Sequence, residues 1–362
     1  MKVKLAHKIR LNPNPEQEKY FIQASHAARV VWNWALGKWN EQYEAGENPS
    51  AIKLDKQFNA IKHECFPWVC EVSKSVAQGA IRDLGQAFKN FFSNPTHFGR
   101  PRFKKKGKCK QSFYLQPGQF KIEGQKIRIP KLDKYTGKKK LKWVNMARPV
   151  RFEGRITGVR ISSKAGKWYA SVTVDYDQHP DKVRHSGEAI GVDLGILKLA
   201  TISTGEVYEN IQAMQKNQDR LRGLQKQLSR RKFGSGKWLI TKGKIQKLHQ
   251  KIENQRRDHI HKMTHYLTTH YGFIAIEDLN VTGMLKNHSL AKSISDASFG
   301  EIVRQIEYKA KRENGQVQKV GRFFPSSKTC SRCGWKNNQL KLNTRTYSCR
   351  NPSCQLEIGK GI

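Results

Sequence analysis

Hydrophobic positions near the start of the chain repeat with the period of a helix. Between residues 16 and 90, large apolar side chains such as Phe21, Trp39 and Phe88 recur three or four positions apart. This spacing predicts a module of amphipathic helices that pack through their aromatic faces. Residues 2–11 instead alternate charged and apolar positions, which predicts an edge strand that the following N-P-N-P ends.

Strand patterns replace the helical period between residues 112 and 177. The segment Q-F-K-I-E-G-Q-K-I-R-I-P has a glycine between two alternating arms, and residues 154–177 predict a second hairpin. We expect these strands to close a small β-barrel together with the strand at residues 2–11. The helical module is then an insertion between two parts of one domain.

Two apolar runs farther along the chain each contain a carboxylate at a predicted strand end. Asp193 lies in A-I-G-V-D-L-G-I-L-K-L, and Glu277 closes the apolar part of Y-G-F-I-A-I-E-D-L. A buried carboxylate is costly unless it is paired, metal-bound or protonated. The two acids therefore predict a divalent-metal site suited to phosphodiester chemistry, with a buried ion pair as the alternative. Strand alternation places Asp278 on the opposite face, so it is a poor substitute ligand.

The order of elements around these acids predicts the fold class. Residues 189–209 have the pattern of a three-stranded meander that turns at Thr204 and Gly205, and helices with narrow apolar seams follow. The strand ending at Glu277 and a helix over residues 299–312 complete the series. This is the order of the ribonuclease H-like fold, and the whole chain is predicted to be α+β and multidomain.

The charge balance indicates a polyanionic partner. The 362 residues include 68 Lys and Arg against 29 Asp and Glu, a formal net charge of +39. Nucleic acid is the leading partner class and an anionic membrane surface is the alternative. No apolar run approaches the roughly 18 residues of a membrane span. The apolar part of the N-terminus is too short for a signal peptide, so we expect a bacterial cytoplasmic protein associated with the nucleoid.

One basic segment is a candidate nucleic-acid surface. Residues 98–110 read F-G-R-P-R-F-K-K-K-G-K-C-K, in which aromatic rings interrupt a run of positive charge. This mixture suits a phosphate backbone with bases stacked on rings, and the alternative is a solvated run of charge. The proline and the phenylalanines favour a fixed loop. The predicted contact residues are Arg100, Arg102, Phe103, Lys104, Lys105 and Lys106.

The cysteine spacing near the C-terminus predicts a metal site. Of seven cysteines, four form the pattern Cys330-x2-Cys333, fifteen intervening residues, then Cys349-x4-Cys354. Four thiolates at this spacing predict a tetrahedral zinc site on two knuckles, and a closed four-Cys site has a structural role. The other cysteines, Cys65, Cys70 and Cys109, have no partner motif and are expected to be ordinary thiols.

Taken together, these motifs resemble the TnpB family, the RNA-guided DNA nucleases of bacterial insertion sequences and relatives of type V CRISPR effectors. The resemblance rests on R-L-N-P-N-P-E-Q, F-F-S-N-P-T-H-F-G-R-P-R-F-K-K-K, G-K-W-Y-A-S-V, G-V-D-L-G-I-L-K-L-A, I-E-D-L-N-V-T-G-M and F-F-P-S-S-K-T-C-S-R-C-G. It covers nearly the whole chain in the family's order. A resemblance of this extent implies a guide RNA and a double-stranded DNA target read by base pairing.

The resemblance also implies a division into domains. Residues 1–15 and 112–182 correspond to a wedge-type β-barrel, and residues 16–111 to an inserted helical recognition module with the basic loop. Residues 183–325 correspond to a RuvC-like domain. Residues 326–362 correspond to the zinc ribbon and a truncated RuvC C-terminus.

By the same resemblance, Asp193 and Glu277 are the first two RuvC carboxylates, and the third is absent. The family carries a hydrophobic-D-R-D-hydrophobic-N-A-A segment after the last zinc cysteine, whereas this chain reads I-G-K-G-I and stops. Gly359 and Gly361 thus stand where the acids are expected, with Gly361 at the third catalytic position. Glu357 is the only nearby spare acid. Hydrolysis with two metal ions needs enough carboxylate charge to hold both, so losing a ligand is expected to abolish most of the activity.

We therefore expect an RNA-guided DNA-binding protein that does not cut and that represses transcription by occupying DNA. Structural Zn²⁺ is expected, and Mg²⁺ only if the RuvC site is active. The alternatives are an active RNA-guided endonuclease with an acid not yet placed, and a guide-free zinc-ribbon DNA-binding protein. The sequence leaves the guide, the DNA motif and the oligomeric state open.

Overall fold

The structure is a computed structural model that describes residues 2–177, 185–321, 325, 328–339 and 346–359. The chain divides into two compact units, Met1–Gln178 and His179–Ile362. Each unit contains both helices and a sheet, as the predicted α+β class requires.

Long helices occupy the predicted helical stretch of the first unit. They are α1 (Pro15–Glu44), α2 (Ala51–Cys65) and α3 (Lys74–Ser93). The N-P-N-P sequence explains the sharp start of α1, because proline suits the first helical turn and the Asn14 side chain accepts a hydrogen bond from the Gln17 backbone N–H at 2.8 Å. Gln17 returns the bond to the Asn14 backbone N–H.

The sheet of the first unit joins the N-terminal strand to strands that follow the helices, as predicted. Along the sheet the strand order is β2-β6-β7-β1-β5-β4-β3. Among residues 2–177, β2 and β3 are the ends of this order, and closure into a barrel stays a prediction. The strands are β1 (Lys2–Asn12), β2 (Ser112–Leu115), β3 (Lys121–Glu123), β4 (Lys126–Arg128), β5 (Trp143–Met146), β6 (Arg155–Lys164) and β7 (Lys167–Asp177).

Both predicted hairpins are present in this sheet. β6 and β7 are joined by Ala165 and Gly166, whose φ angles of 50° and 74° match the positive values that a tight two-residue turn requires. The helices pack on the sheet through aromatic contacts, among them Phe21 of α1 against Trp168 of β7 at 5.1 Å between ring centroids. Shorter helical segments are α4 (Leu132–Thr136) and the 3₁₀ turns Pro67–Glu71 and Lys139–Lys142.

The second unit is built on a mixed sheet with the order β10-β9-β8-β11-β12. Its first three strands form the predicted antiparallel meander, and β11 and β12 then run parallel to β8. The predicted turn is also observed, with Gly205 at φ 93°. The strands are β8 (Ala189–Leu194), β9 (Lys198–Ile202), β10 (Val207–Glu209), β11 (Phe273–Glu277) and β12 (Gln316–Val320).

The predicted pair of basic helices lies between β10 and β11 in the chain. The long helix α7 (Gly236–His270) contributes side chains to two apolar clusters. Leu248 and Ile252 pack with Leu221 of α6 (Gln218–Ser229). Ile260 and Leu267 pack with the sheet. The helix predicted over residues 299–312 is present with those bounds. The helices are α5 (Ala213–Lys216), α6 (Gln218–Ser229), α7 (Gly236–His270), α8 (Val281–Met284), α9 (Ala291–Ala297) and α10 (Phe299–Arg312).

The cysteine-rich segment of the second unit has its own small sheet. Strands β13 (Thr346–Ser348) and β14 (Glu357–Gly359) pair in antiparallel fashion, and Cys330, Tyr347 and Cys349 are buried beside them. Among the helices in the described part of the chain, none combines the length and apolarity needed to cross a bilayer.

Candidate metal centres and nucleic-acid surface

The two predicted acids lie at the carboxyl ends of neighbouring parallel strands. Ile276 of β11 is the register partner of Val192 of β8, and the next residues along the two strands are Glu277 and Asp193. Paired strands lie about 4.8 Å apart. The fold therefore brings the ends of two strands that are distant in sequence to one edge of the sheet.

Strand alternation puts both acids on the same face of the sheet. Ile190, Val192, Ile274 and Ile276 are buried on the opposite face, where they form the core with α7 and α10. An apolar face holds these strands together whether or not the acids are present. Both acids therefore lie on the face of the sheet opposite this core.

The Asp193 residue is exposed, but neighbouring protein displaces part of the water around its carboxyl. Loss of hydration raises the pKa of the Asp193 carboxyl above its ordinary value, and a hydrogen bond from the Leu194 backbone N–H offsets part of that effect. The ionised form is thus less well solvated than in water. A divalent cation at this position would replace the lost hydration.

Asp278 follows the last residue of β11 directly. Asp278 and Glu277 both line a cleft of about 260 Å³. The placement of the Asp278 side chain on the face opposite Glu277 stays a prediction. The Asp278 backbone N–H donates to the carbonyl of Val320 at 3.2 Å, which fixes the chain as it leaves the sheet. The end of β11 at Glu277 agrees with the sequence pattern, in which Glu277 closes a short apolar run.

The positions matched to the third acid contain no carboxylate. Gly359 is the last residue of β14 and pairs with Thr346, and Gly361 lies outside the described residues. Glu357 accepts a hydrogen bond from the Ser348 hydroxyl at 3.1 Å across the small sheet. Among the described residues, the four cysteines are the only group of three or more acids, histidines or cysteines whose ligand atoms all lie within 4.8 Å of one another. Asp193, Glu277 and Asp278 are therefore not gathered around one point.

The four predicted cysteines form a compact cluster that can hold a metal ion. The sulfur of Cys330 lies 3.7 Å from that of Cys354, and the sulfur of Cys333 lies 3.6 Å from that of Cys349. A tetrahedral zinc with Zn–S bonds of about 2.3 Å would place its sulfurs about 3.8 Å apart. The cluster therefore has the size that a zinc ion requires.

The backbone around Cys330 favours a thiolate. Burial raises the pKa of the Cys330 thiol, but hydrogen bonds from the backbone N–H groups of Cys333 and Arg332 outweigh that effect and hold the pKa at about 6. Metal binding requires a deprotonated sulfur. The turn between Cys330 and Cys333 is thus arranged for a metal ligand, and the donor set fits the predicted ion.

Hydrogen bonds from α1 fix the basic loop, residues 100–106. The indole N–H of Trp32 donates to the carbonyl of Arg102 at 3.1 Å. The Asn33 side chain pairs with Lys104 twice, donating to its carbonyl and accepting from its N–H at 2.8 Å. These anchors were not singled out from the sequence, because they lie about 70 positions from the loop. The loop has a defined shape, which is the predicted condition for a nucleic-acid surface.

The predicted contact residues of the loop fall into two groups. The side chains of Arg102, Phe103, Lys105 and Lys106 are exposed. Lys104 is half-buried, with its ammonium 3.4 Å from the centroid of the Trp32 ring, and burial lowers its pKa to about 8. Lys104 therefore anchors the loop, and its exposed neighbours are the candidates for phosphate contact.

A further polar contact joins Arg100 to the same helix. Its guanidinium donates to the Asn40 side chain at 3.1 Å, and the Arg100 residue is exposed. Such an arrangement orients the guanidinium and leaves its remaining N–H groups for an acceptor in solution.

Three family models match parts of the chain. Residues 171–288 match a model described as "Probable transposase", and residues 299–360 match one described as "Cas12f1-like, TNB domain". Residues 1–48 match a model described as "Helix-turn-helix domain". In the structure, described residues 2–48 form β1 and α1, and α2 begins only at Ala51. The match to the helix-turn-helix model therefore reflects similarity of sequence, because these residues do not form two helices joined by a turn.

Curated relatives match nearly the full length of the chain. A protein of Escherichia coli (strain K12) named "Putative RNA-guided DNA endonuclease InsQ" is 33% identical, over 97% of this chain and 88% of that protein. A "Putative RNA-guided DNA endonuclease" of Streptomyces pristinaespiralis is 31% identical, over 96% of this chain and 85% of that protein.

A solved structure shares the fold. The chain titled "Cryo-EM structure of the Cas12f1-sgRNA-target DNA complex" has a TM-score of 0.54 and 14% identity, and the match covers 94% of this chain and 93% of that one. Likeness at this identity concerns the fold, which is of the Cas12f type, with a TNB domain that contains the four-Cys cluster.

Proposed function

The chain belongs to the TnpB family of transposon-derived proteins, and from this premise we propose that it is an RNA-guided DNA-binding protein with an incomplete nuclease site. It binds double-stranded DNA that matches its guide RNA and leaves the strands uncut. By occupying DNA in this way it acts as a transcriptional repressor. The observation that carries the proposal is the pair of carboxylates at one sheet edge, with which no third acid, histidine or cysteine among the described residues forms a compact group.

The distribution of charge supports nucleic acid as the partner. The net charge of +39 exceeds what solubility needs and favours a polyanion. The fixed basic loop presents Arg102, Lys105 and Lys106 to solvent beside the exposed ring of Phe103. Contacts of this kind position a nucleic acid without reading its sequence. Sequence readout then falls to base pairing with a guide.

The proposal assigns a domain to each part of the chain. Residues 1–15 and 112–182 are the wedge-type barrel, and residues 16–111 are the recognition module that carries the basic loop. Residues 183–325 are the RuvC domain, and residues 326–362 are the zinc ribbon with the C-terminal RuvC segment. The order β10-β9-β8-β11-β12, with a meander followed by two parallel strands, supports a ribonuclease H-like core for the third of these.

Asp193 and Glu277 together would bind at most one divalent ion with high affinity. Hydrolysis with two metal ions needs carboxylate oxygens that reach both ions, about 4 Å apart. Asp193 and Glu277 supply one side of such a site, but the family's further acids are matched by Gly359 and Gly361. Losing the ligands of one ion removes the charge that stabilises the leaving oxygen. We expect the cleavage rate to fall by about three orders of magnitude or more, as when charge stabilisation is lost in other enzymes.

Binding does not depend on these acids. Affinity for guide and target comes from base pairs and from neutralised phosphates. Carboxylates that lack metal oppose a nearby phosphate, so losing an acid at the site is neutral or favourable for binding. A chain with this site can therefore remain a strong DNA-binding protein.

Zinc has a structural role in the proposal. Cys330, Cys333, Cys349 and Cys354 are the ligands, and four thiolates leave no open position for substrate. The small sheet of β13 and β14 buries few apolar side chains, so metal binding provides much of the folding free energy of this segment. Zinc supplies this stability and takes no part in chemistry.

The test is to purify the protein with its bound RNA, sequence that RNA, and present matched DNA in the presence of Mg²⁺. Binding and cleavage are scored on the same samples, with a mismatched duplex as the control for guiding. We expect selective binding of the matched duplex and no cut product. Asp193→Ala is the matched variant, and it should bind the duplex as the wild type does, within about twofold.

Two outcomes would overturn this proposal. Cleavage that Asp193→Ala abolishes would show that the site is complete. Selective binding that survives RNase treatment would show that the protein reads DNA without a guide. A preparation that contains no RNA would also favour the guide-free alternative.

One observation favours a second function, that of an active RNA-guided endonuclease. Asp278 lies in the same cleft as Glu277, so a third carboxylate is within the neighbourhood of the sheet edge. Cleavage that is abolished separately by Asp193→Ala and by Asp278→Asn, with binding unchanged, would establish this function.

A further inference from the structure

The turn between α6 and α7 holds a cluster of large apolar side chains in solvent. We call Phe233, Trp238, Leu239 and Ile240 the aromatic tip. Phe233 is 83% exposed and Ile240 is 61% exposed. Burying such a side chain stabilises a protein by about 2 kcal/mol, so exposing several together forgoes that gain. Trp238 is half-buried, and its ring contacts that of Phe233. Exposed apolar side chains grouped at one turn indicate an interaction surface.

Hydrogen bonds hold the aromatic tip in a fixed conformation. Ser235 caps α7 by accepting from the Trp238 backbone N–H at 3.2 Å. The Arg231 guanidinium donates to the Lys237 carbonyl and to the buried hydroxyl of Thr241. The rings of Phe233 and Trp238 consequently lie together, with their centroids 4.7 Å apart. A surface ordered in advance loses little entropy on binding.

Positive charge around the aromatic tip restricts the kind of molecule that can bind there. Residues 220–252 include eleven Lys and Arg and no Asp or Glu. The Lys242 ammonium lies 4.9 Å from the centroid of the Trp238 ring. A second copy of the chain would bring like charge against like charge, which disfavours self-association. A polyanion with apolar faces is the complementary partner.

We propose that the aromatic tip is a stacking site for an unpaired nucleotide of a single-stranded nucleic acid. The base stacks on the rings of Phe233 and Trp238, and the surrounding Lys and Arg side chains contact the flanking phosphates. A base within a duplex already stacks on its neighbours and offers no free face. The site therefore prefers single strands over duplexes. It does not depend on a guide or on cleavage, because stacking and charge are sufficient.

The test compares Phe233→Ala/Trp238→Ala with Ile52→Ala in the full chain after nucleic acid has been removed. Ile52 is a matched control, because it is 74% exposed and lies on α2, in the other unit. Fluorescence anisotropy would measure binding of single-stranded DNA, single-stranded RNA and a blunt duplex at one salt concentration. We expect the double variant to lose about 5- to 100-fold in affinity for a single strand. Duplex binding should change by less than about twofold.

A second pair of variants separates stacking from charge. Phe233→Tyr/Trp238→Phe keeps two rings and should bind as the wild type does, which controls for misfolding of the alanine variant. Lys242→Gln/Lys244→Gln should reduce the slope of log affinity against log salt by about 1.4 for a single strand, whereas the alanine variant keeps the slope. Equal affinity of wild type and alanine variant for single strands would overturn the proposal.

Cross-linking would identify the source of the strand. In one arm the protein is purified with RNA from cells grown on 4-thiouridine, and in the other it receives single-stranded DNA containing 5-iododeoxyuridine. After irradiation, adducts are mapped by mass spectrometry. Adducts on Phe233 or Trp238 in the first arm assign the site to RNA, and adducts in the second arm assign it to DNA. Adducts confined to other residues in both arms would contradict the stacking site.

Discussion

The two candidate metal sites of the second unit differ in how completely their ligands are supplied. The cysteine cluster takes four ligands from two short knuckles, and its sulfurs lie 3.6 and 3.7 Å apart in pairs. The carboxylate site takes Asp193 and Glu277 from strands that are far apart in sequence, and within the described part of the chain no third ligand forms a compact group with them. In the function proposed above, the first site is complete and the second is not.

The difference follows from what each site contributes to folding. The cysteine-rich segment has few buried apolar residues, so losing one ligand removes much of its stability. The sheet that carries the acids is held by its apolar face, including Ile190, Val192 and Ile276, and needs no acid to fold. We therefore expect the fold to tolerate substitution of Asp193 or Glu277 better than substitution of one of the four cysteines.

The largest expected effect is that of Cys349→Ser. Structural zinc contributes about 10 kcal/mol or more to the folding of a small module, and three thiolates bind the ion far more weakly than four. We expect the variant to lose its zinc and the hydrogen-exchange protection of β13 and β14. Metal content by mass spectrometry and hydrogen exchange of the full chain would measure both.

Cys65→Ser is the control for that experiment. Cys65 is an exposed thiol on α2 and lies outside the cluster, so its substitution should leave the zinc content unchanged. Full zinc occupancy in Cys349→Ser would contradict a four-Cys site. Removal of zinc with a chelator should reproduce the effect of Cys349→Ser and leave the helices of the first unit protected.

The next effect in size tests whether the carboxylate site can be completed. Gly359→Asp/Gly361→Asp adds the two acids that the family resemblance places there, and more carboxylate charge favours a second Mg²⁺ ion. We expect tighter Mg²⁺ binding and the appearance of guided cleavage, which adding Asp193→Ala should abolish. Mg²⁺ titration monitored by thermal unfolding and a cleavage assay would measure both. Equal Mg²⁺ affinity in the wild type and the double variant would contradict an incomplete site.

Much of the fold could be predicted because its determinants are local. The turn at Thr204 and Gly205 and the helix Phe299–Arg312 follow from turn residues and apolar spacing within short windows. The cysteine cluster follows from spacing alone. These features need no knowledge of distant parts of the chain.

Contacts between distant residues account for what the sequence did not reveal. The sequence does not distinguish Lys104 from its basic neighbours, but in the structure its ammonium lies over the Trp32 ring, and burial lowers its pKa. That α7 joins two apolar clusters also depends on tertiary packing. Periodicity predicts elements, faces and the strand end at Glu277, whereas the partner of a lysine depends on the assembled fold.

A smaller effect is expected from Asp193→Asn in the absence of divalent metal. Because burial raises the pKa of Asp193, the folded state binds a proton more tightly than the unfolded state. Stability is therefore lowered as pH rises through the raised pKa, and the loss is fully present at neutral pH. The amide should raise the melting temperature at pH 7 by about 1 to 2 °C. Partial exposure of the side chain keeps the effect small.

The pH dependence provides the control for this variant. Below the ordinary value of 3.8, the carboxyl is protonated in both states, and the difference in melting temperature should disappear. Glu188→Gln is the matched variant, because Glu188 is an exposed acid next to β8. Glu188→Gln should not raise the melting temperature at pH 7. A lower melting temperature for Asp193→Asn at pH 7 would show that a cation already pairs with the acid in the folded protein.

The smallest expected effect is that of Glu357→Gln. This variant tests whether Glu357, in the cysteine-rich segment, is a metal ligand at the carboxylate site. Glu357 is exposed and accepts from the Ser348 hydroxyl at 3.1 Å, and a glutamine carbonyl can accept the same bond. Stability should therefore change by no more than about 0.5 kcal/mol, as for most surface substitutions. Zinc content and Mg²⁺-dependent stabilisation should equal those of the wild type. Loss of the Mg²⁺ effect would instead mean that Glu357 reaches the ions held by Asp193 and Glu277, and the contrast between the two sites would fail.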